Sequence, residues 1–285
     1  MVLDSGGMTD ESDGQRSDAK RVLWVSAHPE PRSLNGSLRD AGVRALTHAG
    51  HTVVESDLYR DRWNPVLDRR GLAADRERFD VTQHQREAFL EGRQPAHVRR
   101  EQRKVRDADA LVLQFPLWWY GMPAILKGWF DRVFVSGFAF GKDAATGRRL
   151  RFEQGPFVGK RAFVLLTLGD RPAAIGPRGI SGELHELLFG LLHGTLAYTG
   201  MSVLPPMAVP SADFTDAAGF AGHVEHLASR LDGLFTDEPL PYRPQFQGDY
   251  TDAWELVDHV RPGESGLSLH WTDEHSAAGC HRSRA

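Results

Sequence analysis

The sequence predicts an α/β protein: a doubly wound, five-stranded parallel sheet with helices on both faces and a C-terminal extension. Three observations lead there. Short apolar runs bounded by turn residues alternate with helical stretches along residues 21–238. The runs are apolar throughout rather than alternately polar, as in parallel strands covered on both faces. One of them, 110–115, feeds directly into Pro116-Leu-Trp-Trp-Tyr120 and then a helix starting at Pro123. Large aromatics therefore stand at the carboxyl end of a strand, where open α/β sheets keep their ligands.

Residues 21–27 form the first expected strand, followed by a helix over 35–49 that enters through polar capping residues and leaves at Gly50. A second strand covers 52–57, and this strand, helix, strand succession calls for a right-handed crossover. Charged helical stretches at 80–91 and 95–107 precede the third strand, which Pro116 ends because it has no N–H for a ladder. The helix 123–135 has proline in its first turn, where its missing donor costs nothing. A glycine-rich excursion through Gly137, Gly141, Gly147 and Gly155 separates it from a fourth strand, 161–168, with the β-branched and apolar character of a central position. A helix at 182–198, a short edge strand at 202–204 stopped by Pro205-Pro206, and an amphipathic helix at 220–235 complete the domain. Beyond Pro239 prolines and polar residues thicken into a tail that wraps the body or a neighbouring subunit. Residues 1–20, acidic and rich in Gly and Ser, read as a disordered leader within which Met8 is an alternative start.

Composition narrows the function. The formal charge of -4 gives no broad basic field, against nucleic acid as a partner; the cluster from Arg99 to Lys104 reads as the solvated face of a helix. No run is long and apolar enough to span a bilayer. The one cysteine, Cys280, cannot form an internal disulfide, which fits a cytoplasmic protein. His223-Val-Glu-His226 lacks a third ligand nearby, Glu183, His185 and Glu186 read as surface groups, and no metal is expected. The loop from His28 to Asn35 joins the first strand to the first helix without a G-x-G-x-x-G fingerprint, against a Rossmann-type dinucleotide site.

Residues 115–130 resemble, almost residue for residue, the hallmark Phe-Pro-Leu-x-Trp-Phe/Tyr-Gly-x-Pro-Ala-Ile-Leu-Lys-Gly-Trp-Phe of the NAD(P)H:quinone oxidoreductases, or DT-diaphorases. The likeness continues in Val22-Leu-Trp-Val-Ser-Ala-His28, Ser33-Leu-Asn35, Val53-Val-Glu-Ser-Asp-Leu-Tyr59 and Gly179-Ile-Ser-Gly182, and covers 21–206. It implies a flavodoxin-like fold, FAD in preference to FMN, NAD(P)H as co-substrate, a quinone-like acceptor and a homodimer with the cleft at the subunit boundary.

The resemblance also implies site residues. His28, Leu34 and Asn35, with Ser33 in the same loop, match positions that hold the flavin's phosphate and ribityl region. Helix N-terminal amides favour an anion there, although Ser33 and Asn35 read equally well as helix caps. Leu117, Trp118, Trp119 and Tyr120, after Pro116, fall on the isoalloxazine-holding residues, and Thr167, Leu168, Gly169 and Asp170 match a Thr-Thr-Gly-Gly segment lining the flavin. Three consecutive aromatics cannot all point inward, so at least one faces a cleft or a partner. Asp80 stands where the family often has glutamine, while Ala139, Phe140, Gly141 and Tyr198 match substrate-side positions.

Departures from the family are as informative. The Tyr and His that relay charge in the animal enzymes align with Ile175 and Ser181, so that relay is absent and no side chain is certainly catalytic. Asp170 replaces a glycine, to repel an anion or to point to water. The wall between Gly141 and Gly155 is longer and carries Lys142, Arg148, Arg149 and Arg151, which implies an altered or anionic acceptor, or simply a solvated loop. The expected activity is two-electron, ping-pong reduction of quinones or related conjugated electrophiles, an NAD(P)H dehydrogenase (quinone). The alternatives are a regulatory flavoprotein like the ancillary subunits of potassium-efflux systems, or a flavodoxin-like electron carrier without hydride chemistry.

Overall fold

A computed structural model describes residues 19–73, 78–143 and 145–272; the expected leader and Cys280 lie outside them. Strands β1 (Arg21–Ser26), β2 (Thr52–Asp57) and β3 (Ala110–Pro116) alternate with helices α1 (Leu34–His48), α2 (Val81–Leu90) and α3 (Ala96–Asp107). Helix α4 (Ala124–Val133), the two-residue strands β4 (Gly141–Lys142) and β5 (Arg149–Leu150), and strand β6 (Arg161–Thr167) follow. After the short helices α5 (Leu184–Leu187) and α6 (Phe189–Leu191) come β7 (Ser202–Val203), β8 (Met207–Val209) and helix α7 (Ala217–Asp232).

The main sheet runs β2-β1-β3-β6 and ends in β7 and β8, which both pair with β6. All its pairings are parallel. Counted by position this is the five-stranded, doubly wound order in which the chain reverses direction between β1 and β3, leaving a crevice at the strands' carboxyl ends. Alternate residues of each strand serve opposite faces. Val22, Trp24, Val112, Phe163 and Leu165 join Leu38, Leu46, Leu227 and Leu231 of α1 and α7 in one core. Leu23, Val25, Leu113, Phe115, Val164 and Leu166 join Val98, Val105, Leu126 and Trp129 of α3 and α4 in the other.

Several elements differ from expectation for identifiable reasons. Pro116 is the last residue of β3 rather than its stop: it pairs with Thr167, and at a strand's end only its carbonyl is needed. The fifth strand is split. Pro205-Pro206 interrupts pairing after β7, and β8 resumes it further along β6. The stretch 182–198 is broken into α5, α6, a π-turn at Leu192–Leu196 and a 3₁₀ turn at Ala197–Thr199, closed by Gly200 at φ +98°. Glycines 190 and 194 weaken it as a continuous helix. Helix α7 starts three residues early because Asp216 caps it by accepting from Gly219 N–H at 2.8 Å.

The C-terminal extension lies back on the body. Leu240 N–H donates to Val203 O at 2.7 Å. Buried Arg243 reaches Asp249 at 2.9 Å and donates from Nε to Leu269 O at 2.9 Å. His193 is enclosed by Phe189, Tyr242 and His270, with ring centroids 4.6, 4.8 and 5.8 Å away. The phenol of Tyr250 lies 2.8 Å from His270 Nδ1. Arg151 is buried with its guanidinium 3.9 Å from the Trp254 ring, and Arg149 stands 5.2 Å over the same ring. The solvated-loop alternative for this wall therefore holds for Lys142 and Arg148, which are exposed, but not for Arg151.

Two stability tests follow. Burial, reinforced by the charge of His270, pushes the His193 imidazole down to about 4. A depressed histidine contributes nothing where both states are neutral. As pH falls below the unfolded value of roughly 6.5, only the unfolded chain takes the proton, and stability is lost until about pH 4, by about 3 kcal/mol in all. Urea midpoints at about pH 7 and pH 4 should show this loss, and His193→Phe should flatten it. Separately, Gln114 accepts from Trp24 Nε1 at 2.9 Å and donates to Asn35 O at 2.6 Å, both buried. Gln114→Leu orphans two groups at roughly 1–3 kcal/mol each, and should lower the urea midpoint without changing the m-value.

Candidate active site

The carboxyl ends of β1, β3 and β6 open into a cleft of about 330 Å³. The loop after β1 supplies His28, Ser33, Leu34 and Asn35, the loop after β3 supplies Pro116, Leu117 and Trp118, and the end of β6 supplies Thr167, Leu168 and Gly169. Ala212 and Asp213, from the loop after β8, complete the lining. The sequence reading missed these two because it ended the edge strand at the prolines and never brought the chain back beside Leu168; the apolar Met207-Ala-Val209 run was the available signal.

The cap reading of the first loop holds for Ser33 alone. Ser33 caps α1 by accepting from Gly36 N–H at 3.2 Å, and it also lines the cleft. Its hydroxyl donates to Glu30 O at 2.7 Å and lies 3.0 Å from His28 Nδ1, so the loop is internally braced. Asn35 is no cap. Its Nδ2 donates to Thr167 Oγ1 at 2.8 Å, while its Oδ1 is buried without a partner. A buried acceptor left over in a concave site is an opening for a ligand's donor. Gly36 keeps the loop tight: a Cβ there would come within 1.8 Å of Pro31 O. The loop, the N-terminal amides of α1 and the orphaned amide oxygen fit the phosphate and ribityl portion of a flavin.

The aromatic loop divides its side chains. Trp118 is partly covered and tilts toward His28, with ring centroids 6.1 Å apart. Trp119 is 99% exposed. Trp119 and Tyr120 both sit at positive φ, +52° and +55°, a conformation that bulky residues seldom adopt without a functional demand. Leu117 is buried in the core, and its N–H donates to Thr167 O at 2.8 Å, tying the loop to β6.

Other expected site residues fall elsewhere. Asp80 is exposed and caps α2 by accepting from Gln83 N–H at 3.0 Å; it does not line the cleft of its own chain. Ala139, Phe140, Gly141 and Tyr198 likewise lie outside that lining. Phe140 and Tyr198 form an aromatic pair with centroids 6.3 Å apart, and Gly141 holds φ +120°. Asp170 is half-buried and does not stand alone, since its Oδ2 accepts hydrogen bonds from Tyr120 and Ser181. Ile175 borders a second, mostly apolar hollow of about 230 Å³ that shares Leu168 with the cleft. At its rim burial would raise the Glu183 carboxyl, but bonds from the His185 ring and backbone outweigh this and hold it below its ordinary value. Among the described residues no group of three or more metal-ligating side chains occurs.

A doubly wound parallel sheet with a glycine-poor anion loop and an aromatic wall at its carboxyl edge defines a flavodoxin-type flavoprotein. Residues 20–231 match the family described as having a flavodoxin-like fold. The chain is 38% identical to a ribosyldihydronicotinamide dehydrogenase-like protein of Penicillium crustosum, over 89% of this chain and 96% of that one. It is 34% identical to NAD(P)H dehydrogenase [quinone] 1 of Rattus norvegicus, over 88% and 92% of the respective chains. A Klebsiella pneumoniae crystal structure assigned as a quinone reductase superposes with a TM-score of 0.85 at 44% identity, covering 89% of this chain and all of that one. The chain belongs to the NAD(P)H:quinone oxidoreductase family. Membership makes it an oxidoreductase, as the aromatic hallmark predicted.

The division of the aromatic loop gives a test. Trp118→Ala removes an indole that lines the cleft and should weaken flavin retention by about tenfold or more, roughly 1.4 kcal/mol or above, whereas Trp119→Ala should cost a single chain little. Equilibrium dialysis of the two variants checks this, and equal retention by both would show that neither indole walls the cofactor.

Proposed function

We propose that the chain takes hydride from NAD(P)H and delivers it to a quinone or similar conjugated acceptor, using tightly but non-covalently bound FAD. The observation that carries this reading is the cleft at the sheet's carboxyl edge, with its braced anion loop and the unpartnered Asn35 Oδ1. FAD in place of FMN follows from the resemblance of the aromatic hallmark at 115–130 to the NAD(P)H:quinone oxidoreductases. His28, Ser33, Leu34 and Asn35 would hold the phosphate and ribityl chain. Pro116 to Trp118 and Thr167 to Gly169 would hold the ring system, whereas Trp119, Tyr120 and Asp170, expected to do so, lie outside the cleft lining.

Bound flavin supplies the two-electron chemistry, and the chain supplies position and exclusion. Glycine at 169 leaves the end of β6 without a side chain over the cleft, so a flat ring can approach the backbone. Nicotinamide and acceptor would use the same cleft in turn, each stacking against the flavin, as a ping-pong cycle requires. A homodimer supports this arrangement: Phe140 and Tyr198, absent from their own chain's cleft, would close the partner's, and the exposed Trp119 would be covered there. The cytoplasm, where NAD(P)H is available, is the compartment this reading favours. No helix among the described residues is long and apolar enough to cross a membrane.

The purified protein should be yellow, and acid should release FAD, identified by chromatography against FMN. Recovery of FMN would sink the long-chain assignment. Steady-state rates with NADH, NADPH and ribosyldihydronicotinamide against a quinone panel should show direct reduction; a requirement for a separate reductase would overturn the enzyme reading. Sedimentation should give twice the chain mass.

A further inference from the structure

Two of the residues at which this chain departs from its family meet on a third. Tyr120 Oη lies 3.0 Å from Asp170 Oδ2 and 2.9 Å from Ser181 Oγ, and Ser181 Oγ donates to the same Asp170 oxygen at 2.6 Å. The three groups come from different segments: the aromatic loop after β3, the end of β6, and the turn leading to α5. Counting hydrogens is informative. Each hydroxyl brings one, and an ionised carboxylate brings none, so two hydrogens serve three short oxygen–oxygen edges. A third proton on Asp170 would give every edge its own. The ring has room for one proton more than it holds when Asp170 is ionised.

Its place suits that capacity. Gly169, next to Asp170, and Trp118, two residues before Tyr120, both line the cleft. The Tyr120 ring is about half exposed at the mouth, held there by a backbone at φ +55°. On the quinone-reductase reading the overall reaction is NAD(P)H plus quinone plus one proton, giving NAD(P)⁺ plus hydroquinone. Hydride supplies both electrons and one hydrogen nucleus, leaving the hydroquinone monoanion one proton short.

We propose that the Tyr120–Ser181–Asp170 ring supplies that proton. The Tyr120 O–H bond breaks as an O–H bond forms on the acceptor's anionic oxygen. The tyrosinate regains its proton through Ser181 and Asp170 from solvent hydronium or a buffer acid, which is the one proton the overall reaction consumes. Tyr120 is the catalytic residue; Ser181 and Asp170 position and recharge it. The proposal rests on the quinone-reductase reading.

Tyr120→Phe and Asp170→Asn test it, each assayed with a quinone and with ferricyanide, which takes single electrons and needs no proton. The quinone-to-ferricyanide rate ratio should fall about tenfold or more in both variants. Small buffer acids should restore the quinone rate of Tyr120→Phe in proportion to their concentration, a rescue that a structural defect would not show. In the flavin-free protein, carbon-13 NMR of the tyrosine ζ-carbons should show one signal that is lost in Tyr120→Phe and shifted in Asp170→Asn, as the Tyr120–Asp170 hydrogen bond requires. A parent enzyme that reduces quinones and variants that keep its rate ratio would overturn the proton path alone. A parent that reduces ferricyanide but no quinone would overturn the acceptor reading and the proton path together.

Discussion

A buried chain of side-chain hydrogen bonds runs across the sheet beneath the cleft, and the site depends on it. Trp24 Nε1 of β1 donates to Gln114 of β3, Gln114 donates to the carbonyl of Asn35 in α1, and Asn35 donates to Thr167 of β6. Each link is worth only about 1 kcal/mol net, but leaving a buried member unpaired costs roughly 1–3 kcal/mol. The chain therefore fixes geometry more than it adds stability. It locks the first turn of α1 against two strand ends, and so sets where the anion loop stands relative to the aromatic loop. The backbone bond from Leu117 N–H to Thr167 O at 2.8 Å closes the same junction from the other side. An apolar core could have packed these elements just as densely, but it would not have dictated one register between loop and sheet.

Legibility in the sequence follows this physics. Strands buried on both faces announce themselves as unbroken apolar runs, and β2 is found at 52–57 as expected, with β1, β3 and β6 within one residue at either end. What failed to show is what local pattern does not encode. The resumption of pairing at β8 depends on β6 offering free edge groups beyond β7, which a reader who stops at Pro205-Pro206 does not see. The break-up of 182–198 depends on how Phe189 and His193 pack against Tyr242 and His270, contacts some 50 to 80 residues away. At the site, the residues on strand ends were readable because their position follows from the strand. Ala212 and Asp213 were not, and the meeting of Tyr120, Ser181 and Asp170 was not, because tertiary proximity alone creates it.

The C-terminal extension follows the same rule. Its aromatic residues looked like tail composition, yet Trp254 supplies the face that buried Arg151 needs, with exposed Arg149 over the same ring. A guanidinium taken out of water requires a partner, and here Trp254 at 3.9 Å provides a cation–π face where a carboxylate would otherwise be expected. Glu153 completes the seam by accepting from the backbone N–H groups of Gln245 and Phe246. The lengthened wall and the extension are thus one structural unit assembled from two distant segments, and neither has a reason for its composition without the other.

That coupling changes how the departures from the family should be weighed. Taken singly, an acid for a glycine at 170, a serine for a histidine at 181, an isoleucine for a tyrosine at 175 and a basic insertion look like four independent losses of an ancestral site. In three dimensions they pair off. Asp170 and Ser181 satisfy each other and Tyr120. Ile175 joins Leu168, Leu184 and Ala208 around a mostly apolar hollow. Arg151 finds Trp254. Asp170, Ser181 and Tyr120 are thereby partnered through their side chains, whereas the Nε of buried Arg151 keeps no hydrogen-bond partner and its guanidinium rests on the Trp254 face. These contacts surround a cleft whose loops are held in register by the junction of Trp24, Gln114, Asn35 and Thr167 beneath it.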